Sequence, residues 1–290
     1  MKRLFLLISI FALAVLFAAG PALATEGGGG AYPNGVEDFM SGALPPPGTY
    51  FLNYLNYYSA DKFKDGPGDF RLRAFAEVMR FVHMTRQTVL GANWGMQLLV
   101  PIAYVDAHVG SARDNRWGLG DIVINPFLLG WHSRNFHVAA GVDFILPTGD
   151  YDAGRLANTG RNYWTFEPII AITYLSDSGI EASGKFMYDI NTKNEDTEYK
   201  SGEEFHFDYA LGYHIGKEWV VGACGYYYYQ TTDDELNGSE IGFKGRAFAV
   251  GPAVSYSYKN MSFTAKYQKE MAAENRPEGD KFWLKFVYAF

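Results

Sequence analysis

The feature that most limits what this chain can fold into is a two-residue alternation held over long stretches. Phe205, Phe207, Tyr209, Leu211, Tyr213 and Ile215 alternate with Glu204, His206, Asp208, Ala210, Gly212 and His214. Ile180, Ala182, Gly184, Phe186, Tyr188 and Ile190 alternate with Glu181, Ser183, Lys185, Met187 and Asp189, and Phe282, Leu284, Phe286, Tyr288 and Phe290 close the chain in the same rhythm. In a strand, successive side chains point to opposite faces. Each stretch therefore reads as a strand with an apolar surrounding on one face and a polar one on the other.

Twelve such runs are expected, near 49–58, 70–84, 88–105, 117–131, 136–146, 163–175, 180–191, 204–215, 219–231, 246–258, 262–270 and 280–290. Strands of soluble proteins have a mode of about 5–6 residues, whereas a tilted strand needs about 9–11 to cross a bilayer. Most of these runs reach the longer class. Connections after even-numbered runs read as short: Thr85-Arg86-Gln87, His132 to Asn135, Ser176 to Gly179, Gly216-Lys217-Glu218 and Lys259-Asn260-Met261. Those after odd-numbered runs read as long, for example Pro147 to Asn162, Thr192 to Glu203 and Thr232 to Gly245. Short periplasmic turns alternating with longer outer loops are the rhythm of outer-membrane barrels. Lipid offers no hydrogen-bond partners, so strands that span it must close on themselves. The expected fold is all-β: a transmembrane antiparallel up-and-down β-barrel of about 12 strands with both termini periplasmic. A soluble exported sandwich or lipocalin-like barrel is the competing fold, and twelve long strands exceed a lipocalin's eight.

Composition supports this. Aromatic residues make up 17% of the chain, and many tyrosines fall at strand ends, where interface girdles sit. The formal charge of -7 argues against nucleic acid as a partner. Four prolines, Pro101, Pro126, Pro168 and Pro252, fall inside expected strands, and each should mark a bulge, kink or strand end.

The N-terminus has a positive Met1-Lys2-Arg3, an apolar Leu4 to Ala19, a break at Gly20-Pro21 and a small-x-small Ala22-Leu23-Ala24. This is the pattern of a secretory signal peptide cleaved after Ala24, with an uncleaved anchor helix as the alternative. The expected domains are a signal peptide (1–24), a Gly/Pro-rich segment (25–48) serving as periplasmic tail or lumen plug, and a barrel (49–290). The location expected is the bacterial outer membrane, with its lipid, the barrel assembly machinery and a small-molecule substrate as partners. The single cysteine, Cys224, excludes an intramolecular disulfide and reads as a small packing residue.

The polar strand faces should line the lumen. The candidates are Arg71, Arg73, Glu77, Asp143, Glu167, Glu181, Lys185, Asp189, Glu204, His206 and Asp208, together with His137 and Thr165. Opposed charges there could form a selectivity element or simply an ion-pair network filling the barrel. Glu204, His206 and Asp208 share a face and could ligate a metal, although such a set is more often a solvated wall; no metal, cofactor or catalytic residue is expected. A barrel hydrolase would need a nucleophile within reach of a histidine, and no Ser–His spacing stands out. Gly118-x-Gly120 and Gly27 to Gly30 lack the Lys-Ser/Thr of a phosphate loop.

Several segments together carry a family resemblance: Ala43-Leu44-Pro45-Pro46-Pro47-Gly48-Thr49-Tyr50; Gly118-Leu119-Gly120-Asp121 with Pro126 and Gly130-Trp131; Pro147-Thr148-Gly149; Asn162-Tyr163-Trp164-Thr165-Phe166-Glu167-Pro168; and Asn191-Thr192-Lys193-Asn194 continuing to Tyr199-Lys200-Ser201-Gly202-Glu203-Glu204-Phe205. In these the chain resembles the outer-membrane barrel family labelled phenol-degradation meta-pathway protein, the SphA-type transporters. The resemblance implies an outer-membrane channel for hydrophobic or aromatic small molecules and no enzyme. The terminal Phe286, Tyr288 and Phe290 resemble the assembly signal of bacterial outer-membrane barrels. A general narrow porin is the alternative function, and a barrel enzyme such as a lipid hydrolase a further one.

Overall fold

A computed structural model describes residues 25–290; the expected signal peptide and its cleavage site lie largely outside the described residues. A single turn of 3-10 helix, Glu26–Gly28, is followed by sixteen strands: β1 (Gly48–Phe63), β2 (Phe70–Val89), β3 (Ala92–Val109), β4 (Ala112–Leu119), β5 (Val123–His132), β6 (Phe136–Ile145), β7 (Thr165–Leu175) and β8 (Ile180–Asn191). They continue with β9 (Tyr199–Lys200), β10 (Glu204–Ile215), β11 (Trp219–Gln230), β12 (Asp234–Leu236), β13 (Ser239–Gly242), β14 (Arg246–Tyr258), β15 (Met261–Glu274) and β16 (Pro277–Ala289).

Thirteen of these form one antiparallel sheet that closes through β2–β3 at one side and β1–β16 at the other, while β9, β12 and β13 make a small separate sheet. β4 and β5 together supply one wall strand, broken at Gly120 to Ile122, so the barrel has twelve strands, as the alternation predicts. No helix among the described residues is long and apolar enough to cross a membrane, which says nothing of strands.

Two faces follow from the period of two. Phe81, Leu98, Ile102, Ile170, Ile172, Leu211, Phe263 and Leu284 all point outward and are more than a third exposed. The inward positions are buried and carry most of the polar groups, among them Asp143, Glu167, Glu181, Asp189, Glu204, His206 and Asp208. An apolar outside around a polar inside is the inverse of a soluble barrel and the arrangement a bilayer requires.

Several connections differ from expectation. β2 runs past Thr85-Arg86-Gln87 and turns at Leu90-Gly91, where both residues have positive φ (53° and 74°), after a register shift between Met84 and Thr88. The third and eleventh connections are tight rather than long, because the β3–β4 hairpin extends to Gly110-Ser111 and β15–β16 turns at Asn275-Arg276. Two prolines sit at irregularities. Pro101 marks the point where β3 changes partner from β5 to β4, and Pro126 lies within a register shift between β5 and β6. Pro168 and Pro252 do not break their strands; they pair in register with Val142 and Ala223. Each loses its own N–H bond, and toward β8 and β15 the ladder is interrupted for two residues, Glu167-Pro168 and Gly251-Pro252, without a change of register.

Candidate functional site in the barrel interior

Residues 25–47 thread the barrel. Their backbone has almost no regular structure, so its polar groups need partners elsewhere, and the wall supplies them. Starting at the end that carries the long loops, Thr25 N–H donates to Asp234 Oδ2 (2.8 Å). The Glu26 side chain accepts from Tyr151 (3.1 Å) and Asn194 (2.7 Å), and its N–H donates to Ser201 (3.1 Å). Midway, Asp208 accepts from Tyr32 Oη (3.0 Å), Gly35 N–H (2.7 Å) and Glu37 N–H (2.9 Å). Arg80 holds the Glu37 carboxylate (2.8 Å), and Lys266 and Lys285 both grip Asp38. Lower down, Met40 N–H donates to Glu181 (2.6 Å) and Gly42 N–H to Thr173 (3.0 Å). Gly42 lies so close to the wall that a Cβ there would meet backbone atoms of Thr173 and His137 at 2.7–2.8 Å. Val36 packs against Tyr54, Val78 and Trp283, and Leu44 against Val82, Met84 and Leu128. The segment reaches β1 at the short-turn end. Thr25 thus lies at the end opposite Phe290. Only the barrel's own ends, β1 and β16, meet at the short turns.

Asp234, in the loop sheet outside the barrel, is an anchor of this path. Burial pushes its carboxyl up from the ordinary range, opposed by hydrogen bonds from Tyr199, Gly202 N–H, Gln230 and Thr25 N–H. A second outer junction joins segments distant in sequence. Asp121, in the break between β4 and β5, accepts from Gly149 N–H (2.9 Å) and Arg161 N–H (2.7 Å), and Thr148 Oγ1 accepts from Ile122 N–H (2.9 Å). Gly118 to Asp121 and Pro147 to Gly149, which carry part of the resemblance, form one structural unit that fixes the wall's broken strand.

The sequence-derived candidates divide. Asp143, Glu167, Glu181, Lys185, Asp189, Glu204, His206 and Asp208 all point inward and are buried. Arg71, Arg73 and Glu77 do not line the interior. On β2 the inward positions are Leu72, Ala74, Ala76, Val78, Arg80 and Val82, fixed by pairing Val78 with the buried Tyr54. Glu77 pairs with Leu55 and with the exposed Ile102 on the outer face, where Asn53 donates to it (2.7 Å). Small apolar residues face inward here because aromatic side chains and the threading segment fill the space beside them. The interior residues not anticipated are Arg80, Lys266, Gln268, Glu270, Lys281 and Lys285, with Tyr54, Tyr58, Tyr226, Tyr228 and Trp283. Alternation along 262–270, and the face of β16 opposite Phe282 and Leu284, would have revealed most of them.

Cations stand over several of these inner rings: Arg276 on Tyr228 (3.7 Å), Lys281 over Tyr226 (4.3 Å), Lys185 over Tyr32 (4.8 Å) and Lys266 over Trp283 (5.4 Å). Glu204, His206 and Asp208 share a face without converging. Glu204 accepts from Asn191 (3.2 Å), Asp208 is taken by the threading segment, and His206 leans toward Asp189 and Glu167. Ser183, Glu181 and His214 also meet, but the carboxylate lies between the hydroxyl (2.5 Å) and the imidazole (2.7 Å). The histidine therefore cannot take the serine's proton directly, which a nucleophile–base pair requires.

The fold and this interior define a class: a closed transmembrane β-barrel of the outer-membrane type, its lumen threaded by its own N-terminal segment. The sequence profile of the family described as "Putative MetA-pathway of phenol degradation" matches residues 53–286, and the chain belongs to that family. Among solved structures it is similar to the COG4313 outer membrane channel from Pseudomonas putida F1, at 17% identity and a TM-score of 0.79, covering 87% of this chain and 98% of that one. It is also similar in fold to the transport unit of the autotransporter AIDA-I from Escherichia coli (8% identity, TM-score 0.52, covering 87% and 93%). The beta domain of the Bordetella autotransporter BrkA is comparable (10% identity, TM-score 0.51, covering 84% and 100%). Comparison with curated proteins finds no match.

Proposed function

We propose that the protein is a gated outer-membrane channel for the uptake of aromatic or other weakly polar small molecules, with residues 25–47 as the gate. The observation that carries this is the interior itself: inward-facing tyrosines and a tryptophan, paired with lysines and an arginine, closed by a segment held chiefly by polar contacts. Aromatic rings offer apolar area to a flat solute, and the cations beside them orient its polar edge. The short-turn end, and with it Phe290, faces the periplasm in this reading, as short turns do in outer-membrane barrels. The meeting of Ser183, Glu181 and His214 in the wrong order supports a channel over an enzyme.

The test is liposome flux of a water-soluble aromatic alcohol against a sugar of similar size, with protein-free liposomes subtracted. Faster aromatic entry is expected. Equal rates would replace this reading with that of a general narrow porin.

A further inference from the structure

Four carboxylates stand directly opposite one another on adjacent strands of the inner wall. Asp143 pairs with Glu167, and Glu204 with Asp189. The register of β7 on β8, with Thr165 opposite Asn191 and Ile169 opposite Met187, sets Glu167 opposite Asp189. Like charges opposed across a sheet repel, and all four are buried. Two fixed cations face this belt. Lys185 lies 3.6 Å from Asp143 and 3.8 Å from Glu167, and Arg276 stacks on Tyr228, the residue paired with His206. Asp208 is matched separately by the N–H and O–H donors of the threading segment. Arg80 also acts on Asp143 but is taken up by Glu37, so the belt holds more carboxylates than cations.

The deficit is localised. Both oxygens of Glu167, both of Asp189 and both ring nitrogens of His206 are buried without a hydrogen-bond partner. Such orphaned groups are rare in native interiors and call for a partner. His206 Nε2 is 3.3 Å from Asp189 Oδ1 and 3.7 Å from Glu167 Oε2, and one donor atom from each of the three lies within 4.8 Å of the others. Four ligands around a tetrahedral ion at bonds of about 2.0–2.1 Å are separated by about 3.3–3.4 Å. An imidazole with two carboxylates suits a borderline divalent cation of the Zn2+ kind, whose charge two carboxylates neutralise.

We propose that Glu167, Asp189 and His206 form a divalent-cation site on the inner wall, joining β7, β8 and β10 and taking Zn2+. The sequence alone offered Glu204, His206 and Asp208 as a set that could ligate but reads more readily as a solvated wall; the fold keeps the histidine and replaces both carboxylates with residues from neighbouring strands. The ion's remaining position faces the lumen beneath Tyr32, whose ring centroid is 5.0 Å from that of His206.

The experiment uses the mature barrel in detergent, stripped with a chelator and titrated calorimetrically with ZnCl2. One Zn2+ per chain is expected to bind. Asp189→Asn and His206→Gln should each weaken it by more than about 100-fold, since loss of even an outer-shell partner costs about 10–100-fold. Asp61→Asn, at the rim, should change nothing. Heat-modifiable migration on a gel confirms that each variant is folded. Should the variants not fold, crystals of the native barrel soaked in Zn2+ must show an anomalous peak among the three side chains. Absence of binding at millimolar Zn2+, binding that survives both substitutions, or a peak elsewhere overturns the site.

Discussion

Replacing Asp208 by alanine should unlatch the threading segment. Its carboxylate accepts three hydrogen bonds at 2.7–3.0 Å, two from the backbone N–H groups of Gly35 and Glu37 and one from Tyr32. Bonds to a charged acceptor contribute about 1.5–3 kcal/mol each. In a lumen that water can enter once the segment loosens, the lower end of that range or somewhat less applies. A total of about 3–4.5 kcal/mol against docking follows, and at about 1.4 kcal/mol per tenfold it shifts the open-to-closed ratio by roughly 100- to 1,000-fold. Asp208→Asn keeps an accepting oxygen and should lose less. The assay is single-channel recording in planar bilayers, with a chain lacking residues 25–47 marking the open limit. Asp208→Ala should approach that limit. An open probability unchanged in Asp208→Ala, while the deletion opens the pore, would refute the view that this carboxylate is the latch.

Removing one partner of Asp38 should be more damaging to stability than its surface charges suggest. Asp38 and Lys266 are each only 1% exposed, so Lys266→Met is expected to destabilise the barrel by about 3–5 kcal/mol in urea unfolding from liposomes. On the outer wall, Asn53→Leu leaves the Glu77 carboxylate without its donor and should cost about 1–3 kcal/mol, whereas Glu77→Leu in the Asn53→Leu background should restore most of the loss; no recovery would place Glu77 away from lipid. At the outer tip of β4, hydrogen bonds from the loop residue Arg155 hold the Asp114 carboxyl well below the usual carboxylate range. The contact is therefore present above that range and is lost only as pH falls through the depressed value, so carboxyl NMR should find Asp114 still ionised near pH 4, and Arg155→Ala should move its midpoint up toward the ordinary range, short of it because Ala157 N–H still donates.

The wall was legible where alternation was clean. On β7, β8 and β10 nearly all the polar residues fall on the face of Glu167, Lys185 and His206, with only Ile169, Ala171, Met187, Ala210 and Gly212 among them, and the inward face follows. β2 was not legible in this way, because a barrel with an occupied lumen reverses the hydropathy rule locally. Ala74, Ala76 and Val78 face inward to make room, while Glu77, satisfied by Asn53, faces out. The lysines of β15 and β16 were present in the alternation but stood opposite a run of aromatics that drew attention to the other face. The path of residues 25–47 has no periodicity to read, since its conformation is dictated by side chains from most of the wall's strands and not by its own sequence. The pairing of Asp121 with Gly149 and Arg161 joins positions that only closure of the barrel brings together.

The direction of the threading segment has a mechanical consequence. Among the described residues its covalent attachment to the wall is at Gly48, at the short-turn end, while its contacts extend to Asp234 at the far rim. It is a leash of 23 residues, 25–47, with a fully extended reach of roughly 76–83 Å at about 3.3–3.6 Å per residue. Once its polar contacts are released, it can withdraw through the mouth where it is tied and hang clear of the lumen. No wall strand has to unpair and the barrel's circumference does not change. On the proposed gating, such a passage opens by retraction of a cord, and its open diameter is set in advance by the wall.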